Sequence, residues 1–131
     1  MKVRLVNLEN DYSDLTSWWT TYCWTPVSEA MLPKTGLMVE DKEKIVSGFL
    51  YRTDSSICLL EWVVGNPALS KEERKNGMNL LFSTSKLWAK AHGFKIILTM
   101  TKNNGLINSL TNNEFKKTDG DMSHFMFMEG M

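Results

Sequence analysis

The apolar run from Ile57 to Val64, interrupted only by Glu61, constrains this chain more than any other feature. Its leucine-rich and β-branched character reads as a strand in the middle of a sheet rather than at its edge. Gly65-Asn66-Pro67 ends it, because glycine and proline punctuate a strand rather than continue it. Ser70 then offers an N-cap for a long helix, and Glu72 and Glu73 fall in its first turn, where carboxylates favour the positive end of the helix dipole. Met78, Leu81, Phe82, Trp88 and Ala91 are expected on the buried side of that helix, with Gly93 as its stop. A central strand feeding a long helix puts the chain in the α/β class, with the helix covering one face of the sheet.

The remaining segments complete the pattern. Val3 and Leu5 alternate with Lys2 and Arg4, predicting a strand over 2–7. Ser13 or Asp14 can cap a helix whose Leu15, Trp18, Trp19 and Tyr22 share one face. Pro26 and Pro33 flank an irregular stretch holding one short helical turn, Ser28 to Met31. Leu37 to Glu40, Ile45 to Arg52 and Ile57 to Val64 read as three antiparallel strands joined by the turns Asp41–Lys44 and Thr53–Ser55. Lys95 to Thr101 predicts a further strand, and Asn103-Asn104-Gly105 opens a short helix running to about Thr111. Phe115 to Thr118 and His124 to Met128 predict a closing strand pair around Asp119-Gly120-Asp121. With 131 residues and neither repeat nor linker, one domain over 1–131 is expected.

Fifteen Lys and Arg balance fifteen Asp and Glu. That balance argues against a strongly basic nucleic-acid binder, whose affinity rests on neutralising phosphates. No run approaches the roughly 20 apolar residues that cross a bilayer, so no membrane partner is expected. Arg4, Asn7, Glu9 and Asn10 break up any leader-like apolar stretch. Cys23 and Cys58 are the only cysteines, which suits a reducing, cytoplasmic setting. The two histidines are too few and too far apart for a metal motif.

The element order, with the residues at its joints, resembles the Gcn5-related N-acetyltransferase superfamily. There a long helix follows the fourth strand, and its N-terminal loop carries Arg/Gln-x-x-Gly-x-Gly/Ala. The corresponding segment here is Arg74-Lys75-Asn76-Gly77-Met78-Asn79, with Asn79 in place of the second small residue. A second signature is an Asn after the fifth strand, a Tyr seven residues on and a Gly-Phe beyond it. Here it reads Asn103, Leu110 and Glu114-Phe115, so the Asn and the Phe match while the Tyr and the Gly do not. Ala89-Lys90-Ala91-His92-Gly93-Phe94-Lys95 resembles the helix-to-strand joint of that fold. The resemblance covers nearly the whole chain. Trp62 through Asn66-Pro67 to Gly77, together with the segment at His124, is also similar to small acetyltransferase-like proteins of tailed phages. That narrower likeness implies a host-cytoplasmic or virion location, with a homo-oligomer or virion proteins as partners.

The superfamily resemblance implies a mixed, mainly antiparallel sheet and acetyl-CoA (or CoA) as cofactor. It implies a cofactor site at Val63, Val64, Arg74, Lys75, Asn76, Gly77, Met78, Asn79 and Asn103. Elementary chemistry points the same way. A helix N-terminus presents unpaired amides and partial positive charge to a pyrophosphate, and Arg74 and Lys75 add cations. Gly77 would allow close backbone approach. Glu72 and Glu73, the bulk of Asn79 and the long Gly65–Leu69 connection oppose that reading. A solvated first turn of an amphipathic helix is the alternative.

Acyl transfer to an amine needs a base, and Glu61 is the candidate because a carboxylate in an apolar strand is costly without a task or a partner. The alternatives are that it faces solvent or pairs with a lysine; Glu40 is the second choice of base. The family's usual proton donor is the Tyr replaced here by Leu110, with Tyr51 or Ser109 as substitutes. Cys58 reads as an inert strand thiol, and His124 as a structural histidine or a neighbour of the acceptor. Trp18, Trp19, Trp24 and Tyr22 either pack the core or line an acceptor pocket. Met122, Met126, Met128 and Met131 suit either an adaptable contact or a plain edge strand. Two functions are consistent with these residues. One is N-acyl transfer from acetyl-CoA to an amine of a small molecule or protein. The other is a non-catalytic module of the same fold serving as a phage structural or host-interaction protein.

Overall fold

A computed structural model describes residues 1–130, and Met131 lies outside the described residues. Five strands form one sheet in the order β1-β2-β3-β4-β5. They are β1 (Lys2–Leu5), β2 (Thr35–Glu40), β3 (Lys44–Tyr51), β4 (Ile57–Gly65) and β5 (Ile96–Leu98). Three helices accompany them: α1 (Leu8–Thr21), α2 (Lys71–Ala91) and α3 (Asn104–Asn112). A single 3-10 turn spans Glu29–Met31. The first four strands pair antiparallel, while β4 and β5 pair parallel. Parallel neighbours need a crossover, and α2 supplies it.

The two faces of the sheet carry separate cores. On β2, Leu37 and Val39 pack toward α2, whereas Met38 between them packs toward α1. Leu50 and Phe49 divide the same way on β3. This alternation is what a strand covered on both faces requires. Leu81 and Phe82 of α2 fill one side; Leu15, Trp18 and Trp19 of α1 fill the other. Ser70 and Glu73 cap α2 reciprocally, each side chain accepting from the other's backbone amide. Gly93 leaves the helix at a φ of 82°, which glycine adopts without strain.

Several expectations are corrected. Helix α1 begins at Leu8, not after Ser13 or Asp14: Asn7 is the cap, accepting from the Glu9 amide. The reason is Asp11, fully buried in the first turn. It takes hydrogen bonds from Arg4 Nη1 at 2.8 Å and Nη2 at 3.0 Å and from the Asn7 amide at 2.8 Å, and pairs with Lys44 Nζ at 2.7 Å. Arg4 also bonds Glu40, and Lys44 bonds Asp14. This network ties β1, α1, β2 and β3 together. On α2 the buried alanine is Ala89, and Ala91 is exposed. Ala89 lies seven residues past Phe82, two helical turns along the same stripe. Strand β5, at Ile96–Leu98, is shorter than Lys95 to Thr101. Among the described residues the closing strand pair does not form, and the sheet ends at β5. Phe115 packs instead against Phe82, with ring centroids 5.7 Å apart. Phe125 and Phe127 stand 95% and 91% exposed, so an alternating pattern without a partner edge made no strand.

Candidate functional site

The site grows out of the way β4 leaves its neighbours. β5 follows β4 only from Ile57 to Leu59. Beyond Leu59 the strand carries on to Gly65 with one edge unpaired. On its other edge the register to β3 slips between Ser47 and Phe49, where β4 holds one extra residue. Trp62 sits at this bulge with a φ of 59°, a left-handed conformation rare for a bulky side chain. The bulge reverses the facing of the residues after it. Leu60 and Val63, three apart, both pack toward α2, while Val64 joins the α1 core.

Two cavities open along this free edge. The larger, about 880 Å³, lies between the N-terminal part of α2 and the length of α3, and is bordered by Val63, Val64 and Gly65 of β4. Lys71, Arg74 and Lys75 contribute its cations, and Asn103, Asn104 and Asn108 form a polar wall from α3. Glu72 and Glu73 do not line it. The first turn of α2 is sorted by face, with cations at i, i+3 and i+4 toward the cleft and carboxylates away. Lys71 lies outside the residues implied by the family motif, although the spacing of 71, 74 and 75 is legible as one helical face. Arg74 is steadied by donating to the Leu69 carbonyl at 2.7 Å.

The implied cofactor residues divide. Val63, Val64, Arg74, Lys75, Met78 and Asn103 line this cleft; Asn76, Gly77 and Asn79 do not. Gly77 is buried against β3, where a Cβ would come within 2.6 Å of Ile45 Cγ2. Its missing side chain therefore lets the helix approach the sheet. Asn79 is exposed and accepts from Asn113 Nδ2 at 2.9 Å, linking α2 to the end of α3. Asn103 caps α3 through the Leu106 amide at 3.0 Å while facing the cleft.

The second cavity, about 390 Å³, contains Glu61. Because the strands diverge here, it draws on both cores: Trp19 and Val27 from the α1 side, Phe82 and Leu110 from the α2 side. Trp24, Val63 and Leu106 line both cavities, so the two meet there. Glu61 Oε1 is buried without a hydrogen-bond partner. Burial pushes the carboxyl up to about 7, a value at which it takes or gives a proton near neutrality. His124 lines the same cavity.

The other candidates are otherwise engaged. Glu40 is bonded to Arg4. Tyr51 accepts from Trp62 Nε1 at 2.6 Å and donates to the Met31 carbonyl at 2.7 Å, so its hydroxyl proton is committed. Ser109 lines the basic cleft. Cys58 is fully buried, and burial pushes its thiol up, away from the reactive thiolate. Trp18 is core, whereas Trp24 is 37% exposed and stacks on Tyr22 at 4.8 Å between centroids.

Among the described residues no cluster of His, Cys, Asp and Glu could hold a metal ion, and no helix is long and apolar enough to cross a membrane.

No protein-family model matches the chain, and no curated protein matches it. Solved structures do. A probable acetyltransferase superposes with a TM-score of 0.73 at 13% identity, covering 100% of this chain and 99% of the other. A point mutant of a Thermus thermophilus protein gives 0.70 at 15% identity, covering 98% and 99%. A Mycobacterium tuberculosis protein solved in complex with CoA gives 0.66 at 13% identity, covering 92% of this chain and 74% of that one. The chain thus has the fold of the Gcn5-related N-acetyltransferases.

Proposed function

We propose that this protein is an N-acyltransferase using acetyl-CoA, with Glu61 as the general base for an amine acceptor. The observation that carries the reading is the junction of two unlike cavities. A basic cleft at a helix N-terminus meets an apolar cavity containing a carboxylate with an unpartnered oxygen. Each half suits one substrate.

The cleft residues fit the cofactor. Lys71, Arg74 and Lys75 offer three cations to a pyrophosphate at the positive end of α2. Val63, Val64 and Met78 offer apolar surface along β4 and α2, and Asn103 a polar edge. Acetyl-CoA would supply an activated acyl group, a thioester whose carbonyl carbon accepts an amine nitrogen. Glu61 acts on the acceptor. Its ionised form pairs with an incoming ammonium, and its raised proton affinity lets it take the nitrogen's proton. Leu110 has no proton to give, so the leaving thiolate would take its proton from solvent.

Titration calorimetry with acetyl-CoA and CoA, alongside a melting curve, tests the reading. Saturable binding is expected, with about 2.7 kcal/mol of added stability at 100 times the Kd. Absence of binding at millimolar ligand would sink it. The second reading is a non-catalytic module of the same fold, favoured by Leu110 in the cavity and by Phe125 and Phe127 standing exposed.

A further inference from the structure

We infer, resting on the acyl-transfer reading above, that the acceptor is a compact primary amine bearing an aromatic or branched apolar group. Its recognition site is the cavity walled by Trp19, Trp24 and Trp62, with Glu61 as counter-ion.

Size is the first constraint. At about 390 Å³ the cavity lies near the lower end of the roughly 300–1,000 Å³ typical of ligand sites. Wall chemistry is the second. Among the described residues Glu61 is the one carboxylate lining it, and no lysine or arginine lines it. A polycationic acceptor needs several carboxylates, and the cavity offers one. A phosphorylated acceptor needs cations, and Lys71, Arg74 and Lys75 line the neighbouring cleft instead. Thr25, Thr99 and Thr101 add hydroxyls but no charge. What remains is one ammonium, placed between Glu61 and indole faces that attract cations, with an apolar body seated beyond it.

The indoles are held in place before any ligand arrives. Trp19 is buried in the α1 core. Trp62 is fixed by its bond to the Tyr51 hydroxyl. Trp24 stacks on Tyr22, whose own hydroxyl donates to the Gly65 carbonyl at 3.0 Å. Prior ordering of this kind lowers the entropic cost of binding. Trp24 lines both cavities, so it stands where acceptor and acyl donor would meet.

The test compares 2-phenylethylamine with spermidine, kanamycin and glucosamine 6-phosphate by thiol release from acetyl-CoA. The kcat/KM for 2-phenylethylamine should exceed each of the others at least tenfold. Trp24→Ala should lower it at least tenfold, with Trp24→Phe retaining most of it. Preference for a polycation or a sugar phosphate would overturn the inference while leaving acyl transfer intact. A second arm needs no cofactor. Because three indoles line the cavity, 2-phenylethylamine should quench tryptophan fluorescence saturably, and Glu61→Gln should weaken that binding at least tenfold. Saturable quenching in a protein that binds no CoA would uphold the cavity and overturn transfer. Absence of quenching in a protein that does bind CoA would do the reverse.

Discussion

Asp11 and Glu61 are both acids withdrawn from water, and they behave in opposite ways. Burial pushes the Asp11 carboxyl up, but hydrogen bonds from Arg4, Lys44 and the Asn7 amide hold it well below the usual carboxylate range. Glu61 has no such offset: burial alone pushes it up to about 7, with no donor beside Oε1. The donors beside a buried acid decide whether burial leaves it charged. Asp11 is therefore a structural anion that fastens β1, α1 and β3. Glu61 is an acid kept ready to change protonation state.

The contrast breaks most sharply at Glu61. Glu61→Gln should lower the transfer rate by about 10²- to 10⁴-fold, the usual worth of a general base, with no loss of stability at pH 8 in urea unfolding. Asp11→Asn should do the opposite. Removing one partner of a buried ion pair costs about 3–5 kcal/mol; the half-exposed Arg4 and Lys44 put the loss at the lower end, and CoA binding by the folded fraction should be unaltered. Gly77→Val comes next. It forces a side chain against Ile45 and should cost about 1–3 kcal/mol, read as a lower melting temperature. Arg74→Ala should weaken CoA binding roughly tenfold or more, the worth of a charge-assisted hydrogen bond, and flatten its salt dependence while leaving the melting temperature nearly unchanged.

The smallest effect is the pH dependence. Transfer should rise with pH through about 7 as Glu61 ionises, with His124 in the same cavity and Tyr51 on the next strand as the other titratable neighbours. Stability should move the other way. A folded pKa above the unfolded value means that Glu61's contribution is full below about 4.5 and declines as pH rises toward 7. Asp11's contribution, with its pKa depressed, is present above the ordinary aspartate value and is lost on further acidification. A stability curve that kept its neutral-side slope in Glu61→Gln would assign that slope to another group.

How much was legible in the sequence depends on which signals are local. Helix α2, its Ser70 cap, its Gly93 stop and the apolar face at Met78, Leu81 and Phe82 are written in spacing and cap chemistry, and the structure has them where the spacing puts them. The start of α1 was not legible from Ser13 or Asp14, because Asp11 is explained only by Arg4 and Lys44, which approach from other strands. Gly77 illustrates the same limit. A glycine near a helix N-terminus fits either a ligand or a neighbouring strand, and only the distance to Ile45 separates the two. Of the cation face, Arg74 and Lys75 were read from the motif, whereas Lys71, one turn earlier on the same face, was missed. The exposed tail at Phe125 and Phe127 shows alternation promising a strand that no partner edge completes.

The extra residue at Trp62 has a consequence for how this chain can vary. It acts as a change of phase within one strand, so the residues before it and after it obey opposite inside–outside rules. Deleting a single residue there would bring the two halves back into step and keep the strand continuous. The valines beyond would keep their faces and their partners on β3, and the strand would lose the left-handed residue that bends it beside the two cavities. One codon separates a bent strand from a plain one.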